Sequence, residues 1–295
     1  MTVTVGLQLD VSVRLFWMLT TGSIGTTGHL RLALVFLSVL AGISGSAQQP
    51  GPKEIIQRSV EVNRSDWDAA PGYEYFQRER ENGQTRTSEA IMLAGSRYYR
   101  LIAVEDKRLS AEDEAKEQHR FEMAVAQRQK ESPSEREQRV AQYQKQIDRD
   151  HLLMGEITKA LDFTLAGKEM LGNREVYVLN GAPRADYRPP NNQAKALTGM
   201  RGTLWIDAAT FHWVKAEAEV VHPVWMYGFV ARIQPGTHFE LEQEPIATGL
   251  WMPSHFLMEA NAKVLMIFPR YERDDIAYFS YHQPGRSAAE TNPLK

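Results

Sequence analysis

Residues 211–221, FHWVKAEAEVV, contain the pattern that decides the fold class. Apolar side chains at the even positions alternate with Lys215, Glu217 and Glu219 at the odd positions. Such an alternation gives a β-strand one dry face and one wet face. The same pattern returns in residues 256–262, FLMEANA. We therefore expect an antiparallel sheet that is covered on one face.

Similar strand-like runs occur on both sides of this stretch. Two pairs of runs are separated by short turn sequences, Asn82-Gly83 and Gly172-Asn173, which are typical of β-hairpins. A helix is expected before the first run, over residues 53–68. With roughly ten strands in sequence, one leading helix and a helical insertion at residues 107–160, the predicted class is α+β with a large, curved antiparallel sheet.

The helical insertion differs from the sheet in composition. Residues 107–150 contain no glycine, and acidic and basic residues are equal in number. Residues 132–135, SPSE, form a capping-box pattern with proline at the first helical position, so a second helix should begin there. The apolar stripe of both helices is thin. We expect a solvated, charged helical hairpin, with a lid over a functional site as the alternative.

Residues 30–47, LRLALVFLSVLAGISGSA, have the features of an export signal. A basic flank precedes an apolar run, and small residues end at Ala47, where we expect cleavage. The run is shorter than the about 20 residues that a membrane span needs, although an uncleaved anchor remains the alternative. Residues 48–295 are then expected to form a single periplasmic domain.

The composition excludes several classes of function. There is no cysteine, so disulfides, thiolate metal sites and a cysteine nucleophile are excluded. A net charge of −3 argues against a broad nucleic-acid surface. Nucleophile motifs and phosphate-binding glycine loops are missing, and the histidines have no metal-ligand spacing. We therefore expect no catalytic residue, no metal and no cofactor, and we expect Asp207 to shape a turn.

Four short motifs together resemble a known family. They are YEYFQR at 73–78, GTLWID at 202–207, VKAE at 214–217 and GLWMP at 249–253. Their order resembles the periplasmic lipoprotein-carrier superfamily, which includes the outer-membrane lipoprotein chaperone, its outer-membrane receptor and a domain of an envelope-stress sensor. The resemblance implies an unclosed β-barrel with helices as its lid and an apolar cavity that holds acyl chains. The charged insertion and the proline-rich stretch at 183–190 depart from the family pattern.

Two sets of residues are candidates for contact with a ligand or partner. The dry faces of the strands give the cavity candidates Val214, Ala216, Ala218, Val220, Phe256 and Met258. Aromatic residues and methionine near strand ends give the lid or contact candidates Trp225, Met226, Tyr227, Phe229 and Trp251. Two alternatives stay open at this point. A helix can fill the space above the alanines, and the aromatic residues can fold back onto the core.

The functional hypothesis is a non-catalytic periplasmic binding protein that shelters a lipid or lipoprotein acyl chain. One alternative is an envelope sensor or scaffold domain of the same fold that binds a protein partner. The other is a secreted hydrolase that uses carboxylates on the strands.

Overall fold

The computed structural model describes residues 49–81, 83–227, 231–264 and 268–284. The export signal expected at residues 30–47 and the contact candidate Phe229 lie outside these ranges. Among the helices within them, none is long and apolar enough to cross a membrane.

The chain forms four α-helices and 13 strands in the described ranges. The helices are α1 (Pro52–Ala69), α2 (Ala111–Lys130), α3 (Pro133–Ala160) and α4 (Asn192–Lys195). The first strands are β1 (Glu74–Glu81), β2 (Gln84–Leu93), β3 (Ser96–Val104), β4 (Lys107–Arg108), β5 (Leu161–Leu171), β6 (Arg174–Pro183) and β7 (Met200–Asp207). The remaining strands are β8 (Trp213–Val220), β9 (Val224–Met226), β10 (Ala231–Ile233), β11 (His238–Ala247), β12 (Leu250–Val264) and β13 (Phe268–His282).

All the strands belong to one antiparallel sheet. Its main path runs β4-β3-β2-β1-β13-β12-β11-β8-β7-β6-β5, and the short strand β10 joins β12 to β9. The end strands β4 and β5 pair with different neighbours, so the sheet is not closed. The expected α+β class, with a curved, unclosed antiparallel sheet, a leading helix and a helical insertion, is confirmed.

The alternation that predicted the sheet produces its two faces. Ala216 pairs with Leu241, which pairs with Phe256, and directly paired residues share a face. These apolar residues belong to the core side, where Leu204, Ile206 and other buried residues also pack. On the other face, the Lys215 ammonium lies 2.9 Å from Glu217 and 3.3 Å from Glu240. The register therefore separates a dry face from a charged face, as the sequence predicts.

Helix α1 packs on the dry face with both apolar and polar residues. Ile55 and Ile56 are buried in the core cluster that also contains Trp213. Ser59, Asn63 and Asp66, which follow along the same helix, are also buried. The Trp213 indole N–H donates to the Ser59 hydroxyl. This hydrogen bond joins α1 to β8 on the dry face of the sheet.

Candidate binding cavity

A partly enclosed cavity lies between the sheet and helix α3. Its volume is ≈ 170 Å³. The walls come from the end of α1, the turn after it, and strands β1, β3, β11, β12 and β13, with α3 on top. The lining residues are Trp67, Ala70, Pro71, Tyr75, Arg97, Tyr143, Ile147, His151, Leu241, Met252, Pro253, Tyr278 and Tyr281. Eleven of these thirteen are apolar or aromatic, so the cavity suits an apolar ligand.

Three tyrosines make the floor of the cavity rigid. The ring of Tyr75 lies 5.7 Å from the ring of Tyr278, edge to face, and 5.2 Å from the ring of Tyr281. The Tyr281 hydroxyl donates a hydrogen bond of 2.7 Å to the carbonyl oxygen of Pro253. Aromatic pairs at these distances attract each other beyond simple burial. These contacts join the three tyrosines into the floor of the cavity.

Helix α3 closes the cavity from above. Tyr143, Ile147 and His151 are spaced at i, i+4 and i+8, so they project from one face of the helix. The His151 ring stacks on Trp67 of α1, with ring centroids 5.6 Å apart. Its Nδ1 also lies 3.6 Å from a carboxylate oxygen of Asp68. The thin apolar stripe seen in the sequence is therefore the surface that α3 turns towards the cavity.

The helical hairpin is attached to the sheet by contacts of α2 along β3 and by polar contacts at the β2–β3 turn. The Arg139 guanidinium donates to the Ala94 carbonyl oxygen at 3.1 Å and to the Ser96 hydroxyl at 2.7 Å. Arg128 donates to the Ser96 carbonyl oxygen at 3.0 Å. Hydrogen bonds from Arg139 hold the pKa of Glu131 below its usual range. The insertion thus has a defined docking point on the sheet, beside the cavity.

The start of α3 and the turn after β7 have the local structure that the sequence predicts. The Ser132 hydroxyl accepts from the Glu135 N–H, and the Glu135 carboxylate accepts from the Ser132 N–H, which completes the capping box. Asp207 accepts hydrogen bonds from the N–H groups of Ala209 and Thr210 at 3.0 and 2.9 Å. Asp207 therefore shapes a turn, which is the role expected of it.

A positive charge lies at the edge of this apolar site. The Arg97 guanidinium donates a hydrogen bond of 2.7 Å to the carbonyl oxygen of Tyr73. Its central carbon lies 4.8 Å from the centroid of the Tyr75 ring. Arg97 therefore covers an aromatic wall while its charge stays anchored to the backbone.

The six predicted cavity residues are placed around this site but do not line it. Four of them pair with β11: Ala216 and Phe256 with Leu241, and Ala218 and Met258 with Phe239. Leu241 itself lines the cavity, so Ala216 and Phe256 lie next to it. Contact of these four residues with a ligand stays a prediction.

The other two predicted cavity residues lie farther away. A register shift at the end of β7 pairs Ile206 with Trp213, where an unbroken ladder would pair it with Val214. Trp213 therefore takes the core position next to Ile206. Val220 belongs to a separate cluster with Met226.

The predicted lid residues divide into buried and partly exposed side chains. Met226 is fully buried in the cluster of Val220, and Tyr227 packs on its edge. Trp251 is also buried, with its ring stacked on His212 at 5.1 Å and the Arg174 guanidinium 4.6 Å from its centroid. Trp225 is partly exposed. For Met226 and Trp251 the structure shows the alternative left open by the sequence, folding back onto the core.

Sequence reasoning missed most of the cavity lining. Tyr143 and Ile147 stood in a recognised helical stripe, but the stripe was assigned to a solvated hairpin. Tyr75 stood in a recognised strand motif, and Pro253 in the GLWMP motif. A combined signal for the cavity existed in the sequence. It consists of Tyr75 and Pro253 in the motifs at 73–78 and 249–253, together with the apolar pair Tyr143 and Ile147 at i, i+4 on the insertion.

Carboxylates of Glu81, Glu272 and Asp274 offer oxygen atoms within 4.8 Å of one another, beyond the cavity. Such acidic clusters are common without a bound ion.

Burial alone would raise the pKa of Asp207, but hydrogen bonds from Thr210, Ala209 and Arg174 outweigh burial and lower this pKa.

Comparisons with known proteins were made for the sequence and for the structure. No protein-family model and no curated protein matches the sequence. Among solved structures, a DUF1329 family protein from Desulfovibrio piger is 10% identical over 83% of this chain and 98% of its own, with a TM-score of 0.28. A putative outer membrane lipoprotein-sorting protein domain from Vibrio parahaemolyticus is 9% identical over 79% of this chain and 94% of its own, with a TM-score of 0.31.

A LolA superfamily protein from Nitrosomonas europaea is 10% identical, covers 83% of this chain and 98% of its own, and has a TM-score of 0.31. At identities of at most 10% and TM-scores of at most 0.31, the names assign no ligand and no function to this chain.

Proposed function

We propose that this protein is a non-catalytic binding protein that shelters an acyl chain, from a lipid or a lipoprotein, in the cavity under α3. The observation that supports the proposal is an apolar cavity of ≈ 170 Å³ between the sheet and the helical insertion. Water gains few hydrogen bonds from walls of this kind, whereas an apolar chain removes its own surface from water there.

The size of the cavity limits how much of a ligand it holds in this state. An apolar cavity of about 150 Å³ accepts a benzene-sized molecule, so this one has room for a segment of roughly six carbons. Burial of each methylene contributes about 0.8 kcal/mol, which amounts to about 5 kcal/mol for such a segment. Burial of more than this segment requires α3 to move away from the sheet.

The helical insertion is suited to such a movement. Its attachment at the β2–β3 turn consists of hydrogen bonds from Arg128 and Arg139 to groups that water can also satisfy. Near the C-terminal end of α3, Ile157 packs against the core cluster, whereas the contacts of Tyr143 and Ile147 surround the cavity. A ligand that replaces these contacts compensates for much of the free energy lost when α3 moves away from the sheet. The insertion therefore acts as a lid in this proposal.

Native mass spectrometry tests the proposal directly. The protein is purified from the bacterial envelope and measured before and after extraction with organic solvent. We expect adducts with the mass of a lipid or lipoprotein, which disappear on extraction. Protein without adducts, combined with no binding of a fluorescent fatty-acid probe after extraction, would contradict the proposal.

We also propose that the chain is exported and cleaved after Ala47, and that residues 48–295 are one carrier-like domain. The support is the signal-like sequence at residues 30–47. N-terminal sequencing of the periplasmic protein is expected to begin at Gln48. Recovery of the intact signal region in the membrane fraction would contradict cleavage.

A further inference from the structure

Two β-hairpins end side by side at one end of the sheet. Ala231 of β10 pairs with Met226 of β9 on one side and with Val264 of β12 on the other. Val264 in turn pairs with Phe268 of β13. The register therefore places the adjoining ends of β9 and β10 next to the adjoining ends of β12 and β13. We call the described residues at these strand ends the hairpin end; they are Trp225, Tyr227, Arg232, Lys263, Phe268, Arg270 and Tyr271. The register places Lys263 and Tyr271 on one face of the sheet and Phe268 and Arg270 on the other, so this end presents residues from both faces.

Large aromatic side chains are exposed at the hairpin end. Phe268 is 58% exposed and Tyr271 is 61% exposed. Trp225 and Tyr227 are partly exposed nearby. Exposed aromatic residues that share one end of a molecule indicate contact with an apolar or amphipathic surface. Tyrosine and tryptophan in particular favour the boundary between the hydrocarbon of a bilayer and water.

Basic side chains are interleaved with these aromatic residues. Trp225 pairs with Arg232, and Arg232 pairs with Lys263, so the three side chains share one face of the sheet. The Arg232 guanidinium lies 5.0 Å from the centroid of the Trp225 ring. Arg270 follows on β13; it is exposed, and its distance of 3.9 Å from the Glu272 carboxylate is long for an ion pair. This end is thus locally basic although the whole chain carries a net charge of −3.

We propose that the hairpin end binds the surface of an anionic lipid bilayer. Phe268 and Tyr271 would enter the interfacial layer, while Lys263 and Arg270 would contact the anionic headgroups. Each basic residue close to such a surface is attracted to the anionic headgroups. Several of them together therefore give a useful affinity. A surface that binds only a protein partner would leave both kinds of vesicle in the following experiment unbound.

Vesicle sedimentation tests this surface with phosphatidylcholine vesicles that contain or lack phosphatidylglycerol. The wild-type protein should bind the vesicles with phosphatidylglycerol and bind the neutral vesicles much more weakly. Lys263→Gln combined with Arg270→Gln should weaken binding to the anionic vesicles by about 30-fold. Phe268→Ser combined with Tyr271→Ser should weaken it by about 10-fold or more, since less apolar surface is buried.

Exposed residues elsewhere supply matched controls. Lys130→Gln with Arg136→Gln changes the same charge on the insertion, and Met123→Ser with Met170→Ser removes exposed apolar side chains. Both control variants should bind vesicles as the wild type does, and thermal melting confirms that all variants fold. The proposal is overturned by a wild type that ignores both vesicles, by binding that is independent of phosphatidylglycerol, or by controls that weaken binding equally.

This inference does not depend on the proposed binding of acyl chains. A protein that binds a fatty-acid probe but no vesicles would overturn only the membrane surface. A protein that binds anionic vesicles but no probe would overturn only the cavity function.

Discussion

Filling the cavity with a side chain is expected to stabilise the protein and to block its ligand. Ala70 lines the cavity and has helical backbone angles, φ −54° and ψ −37°, which phenylalanine also adopts. A phenyl ring has the size of the benzene that an apolar cavity of about 150 Å³ accepts, so Ala70→Phe should occupy most of the ≈ 170 Å³. A fully enclosed void of this volume would correspond to a destabilisation of about 4 kcal/mol, at about 24 cal/mol per Å³, which is an upper bound for this partly enclosed cavity.

The gain in stability will be a fraction of that value, because the ring fits imperfectly and cavity-filling substitutions commonly contribute about 0.5–2 kcal/mol. Urea unfolding gives the free energy of unfolding, and titration of a fluorescent fatty-acid probe on the same sample gives the affinity. We expect the midpoint to rise and probe affinity to fall by at least tenfold. Ala69→Phe, at the neighbouring residue that does not line the cavity, is the control. A destabilised Ala70→Phe variant that binds the probe normally would refute the reasoning.

Three further predictions concern stability and the insertion. The side chains of Asp66 and His212 are only 2% and 4% exposed, and the carboxylate lies 3.3 Å from the imidazole. Asp66→Ala should therefore lower the free energy of unfolding by about 1–3 kcal/mol. An unchanged urea midpoint would contradict this. The pKa of Asp207 is lowered in the folded state. The stabilisation from its carboxylate is therefore present above the unfolded pKa of about 3.9 and is lost as pH falls through the folded pKa. Asp207→Asn should flatten the dependence of stability on pH in that acid window, and an unaltered dependence would argue against it. Arg139→Ala should speed amide hydrogen exchange in α2 and α3 while the sheet stays protected; exchange that rises equally in the sheet would show that the insertion is part of the core.

Much of the fold could be predicted from local sequence signals. The alternation around Lys215 and Glu217 specifies a half-covered strand, because a period of two has one structural solution. The capping box at Ser132 specifies where α3 begins, because its two hydrogen bonds join residues only three positions apart. The Asp207 turn is local in the same sense. Each of these features is decided within a few residues, so one sequence contains the whole signal.

The cavity could not be predicted in this way, because its walls meet only in three dimensions. Tyr75, Tyr143 and Tyr278 come from distant segments, and no local pattern shows that they share a space. The bulge that places Trp213, and not Val214, opposite Ile206 also has no strong local sequence signal.

Ala218 does not line the cavity under α3; it pairs with Gly202 on β7, and both residues line a separate cavity. A Cβ on Gly202 would lie 2.5 Å from the Glu217 carbonyl oxygen, so the missing side chain allows close approach of the two backbones. The small residues in this row therefore bring strands together; they do not line the cavity under α3.

The affinity of the protein for alkyl chains of increasing length tests the central claim most directly. Each added methylene that enters the cavity should contribute about 0.8 kcal/mol, which is about a fourfold gain in affinity. With α3 in its present position, the gain should level off near six carbons, and a gain that continues beyond that length would show that the helix opens. Displacement of a fluorescent probe by a series of fatty acids measures this dependence. An affinity that does not change with chain length, or the absence of any binding, would contradict the account.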